Sequence, residues 1–162
     1  MSKILVISDV HGNKEILEHL LKKHKKIETK VYLGDFQMSK KDQEYYSNFF
    51  DYVVMGNCDY PGISKNSIYV EIDNKKVMIT HGHYFGSILK KIDFSILNKS
   101  AKENSCEVIL HGHDHISVVE KKSKITRFNP GSTTFPRNTR HGSYGIIDTT
   151  FNEWVFNIVK IS

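Results

Sequence analysis

Seven side chains that can bind metal ions each follow a short apolar segment of the chain. Two are carboxylates, one is an amide and four are imidazoles: Asp9, His11, Asp35, Asn57, His81, His113 and His115. Carboxylate, amide oxygen and imidazole together suit borderline divalent ions such as manganese, iron, zinc, nickel or cobalt. The donors exceed what one tetrahedral ion needs, and they are enough for two ions that share a ligand.

A pair of metal ions has a specific use in phosphate chemistry. Two ions ~3.5–4 Å apart hold a phosphate oxygen, lower the pKa of a bound water and offset negative charge as the bond to phosphorus breaks. A single carboxylate that touches both ions is the natural bridge, and Asp35 stands alone at the end of its segment. We therefore expect Asp35 to bridge two ions in a site that acts on phosphate esters.

Buried strands must bring these side chains to one place. Short apolar segments predict strands at 3–8, 31–33, 52–55, 75–80 and 107–110. Each of these strands ends shortly before one or more of the metal-binding side chains. In α/β proteins the ligand site lies at the carboxyl ends of the strands. We expect these strand ends to converge on one site.

The remaining segments predict helices and further strands around this framework. Helices are expected over 14–27, 40–50 and 87–103, and further strands at 67–72, 117–120, 125–128, 144–148 and 153–159. Strand and helix alternate early and strands dominate later, which predicts an α/β sandwich of mixed sheets with helices outside. No repeat or linker interrupts the pattern, so we expect a single domain over 1–162.

The composition is that of an ordinary globular protein. The chain has 162 residues, is 39% hydrophobic and 25% charged, and carries a formal net charge of +5, which excludes a disordered or collagenous chain. Basic charge favours encounters with phosphates, nucleic acid or anionic lipid, although the lysines within 22–26 and 121–124 are expected on a solvated helix face and a hairpin tip. The two cysteines form no disulfide framework. Without a signal peptide or an apolar segment of ~18 residues, we expect a cytoplasmic protein.

Five short motifs occur in a fixed order along the chain. They are Asp9-Val10-His11, Gly34-Asp35, Gly56-Asn57-Cys58-Asp59, Thr80-His81-Gly82-His83 and Gly112-His113-Asp114-His115. In content and order they resemble the motifs of the calcineurin-like metallophosphoesterases, and Asn129-Pro130-Gly131-Ser132 is similar to the small prokaryotic YfcE-like phosphodiesterase branch. The resemblance implies a four-layer α/β/β/α sandwich with two mixed sheets, of the metallophosphoesterase type.

The resemblance also implies a role for each ligand. The first metal ion is expected to bind Asp9, His11 and His115. Asp35 is expected to bridge the ions, and the second ion is expected to bind Asn57, His81 and His113. Manganese is expected first, with nickel, iron, zinc or cobalt as alternatives.

Three residues of the motifs are expected to act in catalysis. Asn57 serves as a ligand, Asp59 is expected to orient a ligand, and His83 is expected to lie behind a ligand or near the substrate. In the family pattern the histidine directly before glycine is the ligand, which favours His81 over His83. His111, just before the last motif, is expected to be structural.

Cys58 departs from the histidine that many members of the superfamily carry at this position to protonate the leaving group. Cysteine also occurs there in the small phosphodiesterase branch. Because an unperturbed thiol has a pKa of about 8.5, it is a poor acid near neutrality compared with imidazole. We expect a preference for good leaving groups, or another acid such as His83 or a metal-bound water, with Cys58 filling the turn.

Other residues near the motifs have two interpretations each. Gly131 and Ser132 form a plain turn or offer backbone N–H groups to phosphate. The basic loop over 136–142 is exposed, which we expect, or clamps a substrate phosphate through its arginines. Tyr84 and Phe85 pack in the core, which we expect, or act at the site by stacking on a base or excluding water.

The leading hypothesis is a hydrolase, namely a phosphodiesterase in which a hydroxide between two divalent ions attacks phosphorus. Its expected substrate is a small phosphodiester or phosphomonoester. We expect no binding to nucleic acid or to membranes, and the oligomeric state is left open. The alternative is a non-catalytic, protein-binding scaffold that retains the metal site, since the retromer scaffold subunit resembles the same family. The filled ligand positions favour catalysis. A nuclease is disfavoured because no long capping insertion is visible.

Overall fold

The computed structural model describes residues 1–86 and 91–162. In chain order the elements are β1 Lys3–Ile7, α1 Lys14–Lys23, β2 Thr29–Tyr32, α2 Lys40–Ser47, β3 Tyr52–Val53, β4 Ser67–Ile72, β5 Lys75–Thr80, α3 Phe94–Glu103, β6 Val108–Leu110, β7 Val118–Lys122, β8 Ile125–Asn129, β9 Ser143–Asp148 and β10 Val155–Lys160. Apart from α1 and α3, the observed bounds differ from the predicted ones by at most 3 residues.

The strands form two five-stranded sheets, in the orders β10-β9-β1-β2-β3 and β4-β5-β6-β8-β7. In the first sheet β1, β2 and β3 run parallel, and in the second β5, β6 and β8 run parallel. The remaining strands, β9 and β10 in the first sheet and β4 and β7 in the second, pair antiparallel, so both sheets are mixed. Parallel neighbours end at the same edge, which places the carboxyl ends of the strands that precede the motifs at one edge of each sheet.

Side chains on the two faces of each sheet pack into separate hydrophobic cores. Ile4 packs between the sheets with Leu110 of the second sheet. Leu5 packs with Leu17 of α1 on the outer face, because successive side chains point to opposite faces of a strand. Ile109 packs on the outer face of the second sheet against α3. The order of layers is therefore α/β/β/α, and the predicted four-layer sandwich with two mixed sheets is confirmed.

Helix α1 is shorter than the predicted 14–27. It ends at Lys23, because the chain turns there, with the backbone N–H of Ile27 donating to the His24 carbonyl at 3.0 Å. This turn lets the chain reverse direction and begin β2.

Helix α3 begins later than the predicted 87–103. Its first residue is Phe94, and the Asp93 side chain caps it by accepting from the backbone N–H of Ser95 at 3.0 Å. Residues 87–90 of the predicted helix lie outside the described residues.

Within the part of the chain that the structure describes, no helix is long and apolar enough to cross a bilayer.

Candidate metal centre

The structure brings all seven predicted ligands together at the carboxyl ends of the strands. The first sheet supplies Asp9, His11, Asp35 and Asn57, and the second supplies His81, His113 and His115. The centre therefore lies where the edges of the two sheets meet, and each sheet contributes part of it.

The backbone at these strand ends is left-handed at alternate residues. The φ angles are +54° at Asp9, +46° at His11, +64° at Asp35, +75° at His113 and +61° at His115. Residues with side chains seldom adopt this conformation, and it persists where the surrounding structure holds it, as is frequent at functional sites. Five of the predicted ligands share this conformation, which indicates that the backbone at this edge of the sheets is shaped for a functional site.

One group of donors surrounds the Asp9 carboxylate. His115 Nε2 lies 3.3 Å and His11 Nε2 lies 3.7 Å from Asp9 Oδ1, and the two nitrogens are 3.1 Å apart. Asp9 Oδ1 is buried, yet within the described residues it accepts no hydrogen bond. Because an unpaired buried charge is costly, this group fits a cation between the three side chains.

A second group of donors surrounds His81. Its Nε2 lies 3.1 Å from Asn57 Oδ1 and 3.2 Å from Asp35 Oδ2, and His113 Nδ1 lies 3.0 Å from Asn57 Oδ1. Asp35 Oδ2 is also 3.7 Å from His11 Nε2. The Asp35 carboxylate thus lies between the two groups, at the position predicted for a bridge.

The ring nitrogens that face the centre are made available by hydrogen bonds on the other side of each ring. His11 Nδ1 donates to Gln37 Oε1 at 2.6 Å, His81 Nδ1 to the Leu33 carbonyl at 2.7 Å, and His115 Nδ1 to the Phe135 carbonyl at 2.7 Å. With Nδ1 engaged, each Nε2 is directed at the centre, which is the usual arrangement of metal-binding histidines. The donor set therefore fits metal ions better than it fits an empty polar cluster.

Sequence reasoning missed Gln37 and Phe135. Gln37 follows Asp35 by two residues and has a φ of +50°, so it repeats the alternation seen at Asp9 and His11. This spacing is the signal that could have identified it. Phe135 acts through its backbone carbonyl, which every residue carries, so no side-chain signal exists.

The electrostatics of the centre favour ionised carboxylates beside positive charge. Burial raises the pKa of the Asp9 carboxyl, but His81, His11 and His115 outweigh burial and lower that pKa below its ordinary value. Burial likewise raises the pKa of Asp35, and His81 reverses the effect. For His81, burial lowers the pKa, whereas Asp9 and Asp35 raise it to about 9. The centre therefore attracts positive charge, as a metal site must.

Asp59 holds the backbone around the Asp35 carboxylate. Its oxygens accept from the backbone N–H groups of Asp35 at 2.8 Å, Phe36 at 2.7 Å and Gly56 at 2.8 Å. Asp59 thus ties the end of β2 to the loop after β3. Its contacts are those of a residue that orients a ligand, the role we predict for it.

Cys58 contacts the centre through its backbone, and its Sγ lies within 4.8 Å of ligand atoms of His11 and Asp35. Its N–H donates to Asp35 Oδ1 at 2.8 Å, which leaves Asp35 Oδ2 to face the histidines. Burial and the neighbouring Asp35 raise the pKa of the Cys58 thiol to about 11. The side chain therefore stays protonated at neutral pH.

His83 and its two aromatic neighbours differ in their surroundings. Burial, His81 and His113 lower the pKa of His83 to about 4, and its buried Nδ1 has no hydrogen-bond partner within the described residues. Phe85 is half-buried and packs against the core beneath α3, as predicted. Tyr84 is 64% exposed, so the prediction that it packs in the core is wrong. The turn that holds it directs its side chain outward, next to His83.

His111 and the turn after β8 have structural contacts. His111 is buried, and its Nε2 accepts from Arg127 Nη1 at 2.9 Å. Ser132 Oγ donates to the Asp9 carbonyl at 2.7 Å, and the Gly131 N–H donates to Asn129 Oδ1 at 2.8 Å. The Gly131 N–H is therefore already paired within the turn, and Ser132 supports the strand end at Asp9.

The basic loop over 136–142 lies beside the centre. Its Arg137 N–H donates to the His115 carbonyl at 3.1 Å, and the side chains of Arg137, Arg140 and His141 are exposed, as predicted. The loop therefore contacts the segment that carries His115 through its backbone.

Known proteins are similar in sequence to this chain. The model of the calcineurin-like phosphoesterase superfamily domain matches residues 2–152. The chain is 33% identical over 147 residues to the probable metallophosphoesterase YsnB of Bacillus subtilis, covering 89% of this chain and 82% of YsnB. It is 32% identical to phosphodiesterase YfcE of Escherichia coli over 59% of this chain and 50% of YfcE.

A solved structure shares the fold. A conserved uncharacterized protein of Streptococcus pneumoniae TIGR4, described as a predicted phosphoesterase, matches with a TM-score of 0.85 and 25% sequence identity. The match covers 98% of this chain and 89% of the streptococcal chain.

Proposed function

Because this chain belongs to the calcineurin-like phosphoesterase superfamily, we propose that it is a phosphodiesterase that works with two divalent metal ions. The observation that supports this most is the position of Asp35. Its Oδ2 lies 3.2 Å from His81 Nε2 and 3.7 Å from His11 Nε2, so that one carboxylate faces both groups of donors.

Each residue of the centre has a defined part in this proposal. Asp9, His11 and His115 would hold one ion, Asn57, His81 and His113 would hold the other, and Asp35 would be shared. Such a pair of ions supplies binding of a phosphate oxygen and a water of lowered pKa. Manganese is our first choice, and nickel, iron, zinc or cobalt also suit this mixture of oxygen and nitrogen donors.

The protonation states of the nearby residues favour substrates with good leaving groups. Burial and the neighbouring histidines lower the pKa of His83 to about 4, so its imidazole is neutral at pH 7 and is a poor proton donor. Cys58, with a pKa raised to about 11 by burial and Asp35, is a weak acid. Neither group matches the pKa near the operating pH that an efficient general acid needs. Aryl esters, whose leaving groups need no protonation, are therefore the expected best substrates.

Hydrolysis of bis(p-nitrophenyl) phosphate tests the proposal. Purified protein with added manganese is expected to release p-nitrophenolate, and Asp35→Asn and His81→Ala are expected to abolish turnover because each removes a ligand. His19→Ala, an exposed histidine on α1, is the matched control and is expected to keep the wild-type rate. Turnover that is unchanged in Asp35→Asn and His81→Ala would refute the assignment.

Hydrolysis, and not metal content, separates the enzyme from a scaffold. A scaffold that retains these ligands also binds metal, so bound manganese alone supports both. A panel of phosphodiesters and phosphomonoesters with several divalent ions identifies the preferred ester. A protein that binds manganese and hydrolyses none of them would support the scaffold.

A further inference from the structure

The exposed rings of Tyr84 and Phe135 lie against histidines of the metal centre. Tyr84 is 64% exposed, and its ring centroid lies 4.2 Å from that of His83. Phe135 is 56% exposed, and its ring centroid lies 5.7 Å from that of His11. Isolated exposed apolar side chains are common on proteins, so the position of these rings, and not their exposure, carries the argument.

Each ring adjoins a different half of the centre. His83, which contacts Tyr84, lies 5.3 Å ring to ring from His81, a ligand of the second group. His11, which contacts Phe135, belongs to the first group. Phe135 therefore lies against a ligand of the first group, and Tyr84 lies one ring beyond the second group, with His83 between.

The backbone at both positions is held in place. The Phe135 N–H donates to Ser132 Oγ at 2.8 Å, and its carbonyl accepts from His115 Nδ1 at 2.7 Å. Tyr84 lies in a turn over 82–85 that a backbone hydrogen bond of 3.0 Å closes. Because both segments are already ordered, binding a ligand against these rings does not require the ordering of a loose loop.

We propose that Tyr84 and Phe135 bind the two ester substituents of a phosphodiester, so that the preferred substrates carry planar groups on both sides of phosphorus. This inference rests on the proposed function, because it needs the phosphate at the metal centre. A diester has two substituents on one phosphorus, so a phosphate bound by the ions beside Asp35 can place one substituent near each ring. Stacking on aromatic side chains tolerates many planar groups, so the site takes aryl esters and nucleoside esters alike.

Two phosphinates test this without turnover, because their P–C bonds are not hydrolysed. Calorimetric titration of the manganese-loaded protein is expected to show tighter binding of diphenylphosphinate than of dimethylphosphinate. Tyr84→Leu and Phe135→Leu are each expected to weaken diphenylphosphinate binding roughly 5- to 100-fold and to leave dimethylphosphinate binding unchanged. Tyr84→Phe, which keeps the ring, and Tyr45→Leu, at an exposed tyrosine of α2, are expected to bind like wild type.

Three results would overturn the inference. They are unchanged diphenylphosphinate binding in both leucine variants, an equal loss of binding for both phosphinates, and no preference for diphenylphosphinate in the wild-type protein. Hydrolysis of bis(p-nitrophenyl) phosphate tests the proposed function separately. If the protein binds diphenylphosphinate through these rings but hydrolyses no ester, the binding site is supported and the proposed activity is refuted.

Discussion

Gln37 contributes to the metal centre without facing it. Its Oε1 accepts from His11 Nδ1 at 2.6 Å, which leaves the His11 Nε2 lone pair for the ion beside Asp9 and His115. A partner of this kind fixes the orientation of the ring and raises the basicity of the ligand, and its loss typically weakens metal binding about 10- to 100-fold.

Replacement of Gln37 therefore tests how the first ligand group is positioned. Gln37→Leu is expected to weaken manganese binding about 10- to 100-fold in a calorimetric titration, because His11 loses its acceptor. Gln37→Glu keeps an oxygen at this position and is expected to retain the affinity. Wild-type affinity in Gln37→Leu would show that the ring is held by packing alone.

The ligands were predictable because their residue types carry the chemistry. Asp9, Asp35 and His81 stand out as polar residues directly after apolar strands, a placement that packing does not explain. The exposure of Tyr84 was not predictable, because it depends on which way the turn over 82–85 directs the side chain. Local sequence identifies what a residue can do, and the surrounding turn decides where it points.

At the scale of elements, the strand ends lie so close together that a side chain does not fit between them. An added Cβ at Gly112, after β6, would overlap Ser8 Oγ and lie 2.7 Å from Asp9 Oδ2. At Gly56, after β3, it would overlap the Asp35 carboxylate. These glycines let the loops approach the carboxylates of the neighbouring strands.

Gly112→Ala tests this close approach. The new methyl group is expected to displace Asp9, to destabilise the protein by about 1–3 kcal/mol and to weaken manganese binding. Gly62→Ala is the control, because its Cβ would meet nothing within 4 Å and only its left-handed backbone, with φ of +86°, opposes it. Urea denaturation and manganese titration measure both effects. A Gly112→Ala variant with the stability and the manganese affinity of the wild-type protein would contradict the packing described here.

His111, directly after β6, makes folding sensitive to acid. Burial and Arg127 lower the pKa of His111 to about 3, whereas an unfolded histidine has a pKa of about 6.5. Between these values the unfolded chain binds the proton and the folded chain does not. The contribution of His111 to the free energy of unfolding therefore falls as pH decreases through this window.

Removal of this imidazole should flatten the pH dependence. His111→Gln is expected to reduce the slope of the unfolding free energy between pH 6 and pH 4 by up to about 1.4 kcal/mol per pH unit. Urea denaturation of the metal-free wild type and variant measures the two slopes, and the titrations of all other groups are common to both. Parallel slopes would show that His111 is protonated in the folded state.

The existence of the elements was more predictable than their bounds. The apolar segment after Lys3 predicts β1 because β-branched residues favour strands. The end of α1 at Lys23 depends on where the chain turns back toward β2, and the periodicity of Leu17 and Leu20 does not register that turn. Tertiary connections therefore decide the bounds that local patterns leave open.

At the scale of the whole molecule, the centre requires both sheets. Asp9 and Asp35 come from the first sheet and His81 and His113 from the second, so neither ligand group is complete until the sheets pack together. The core between the sheets, with Ile4 among its members, holds the two edges in place. The mixed sheets with helices outside were predictable from the order of elements, whereas the four-layer arrangement was inferred from the family resemblance of the motifs.

Anomalous diffraction at the manganese absorption edge, from crystals soaked in manganese, tests most directly whether these side chains hold two ions. Two anomalous peaks are expected, one beside Asp9, His11 and His115 and one beside Asn57, His81 and His113, with the Asp35 carboxylate between them. No peak among these side chains, or a single peak that does not involve Asp35, would contradict the dinuclear centre.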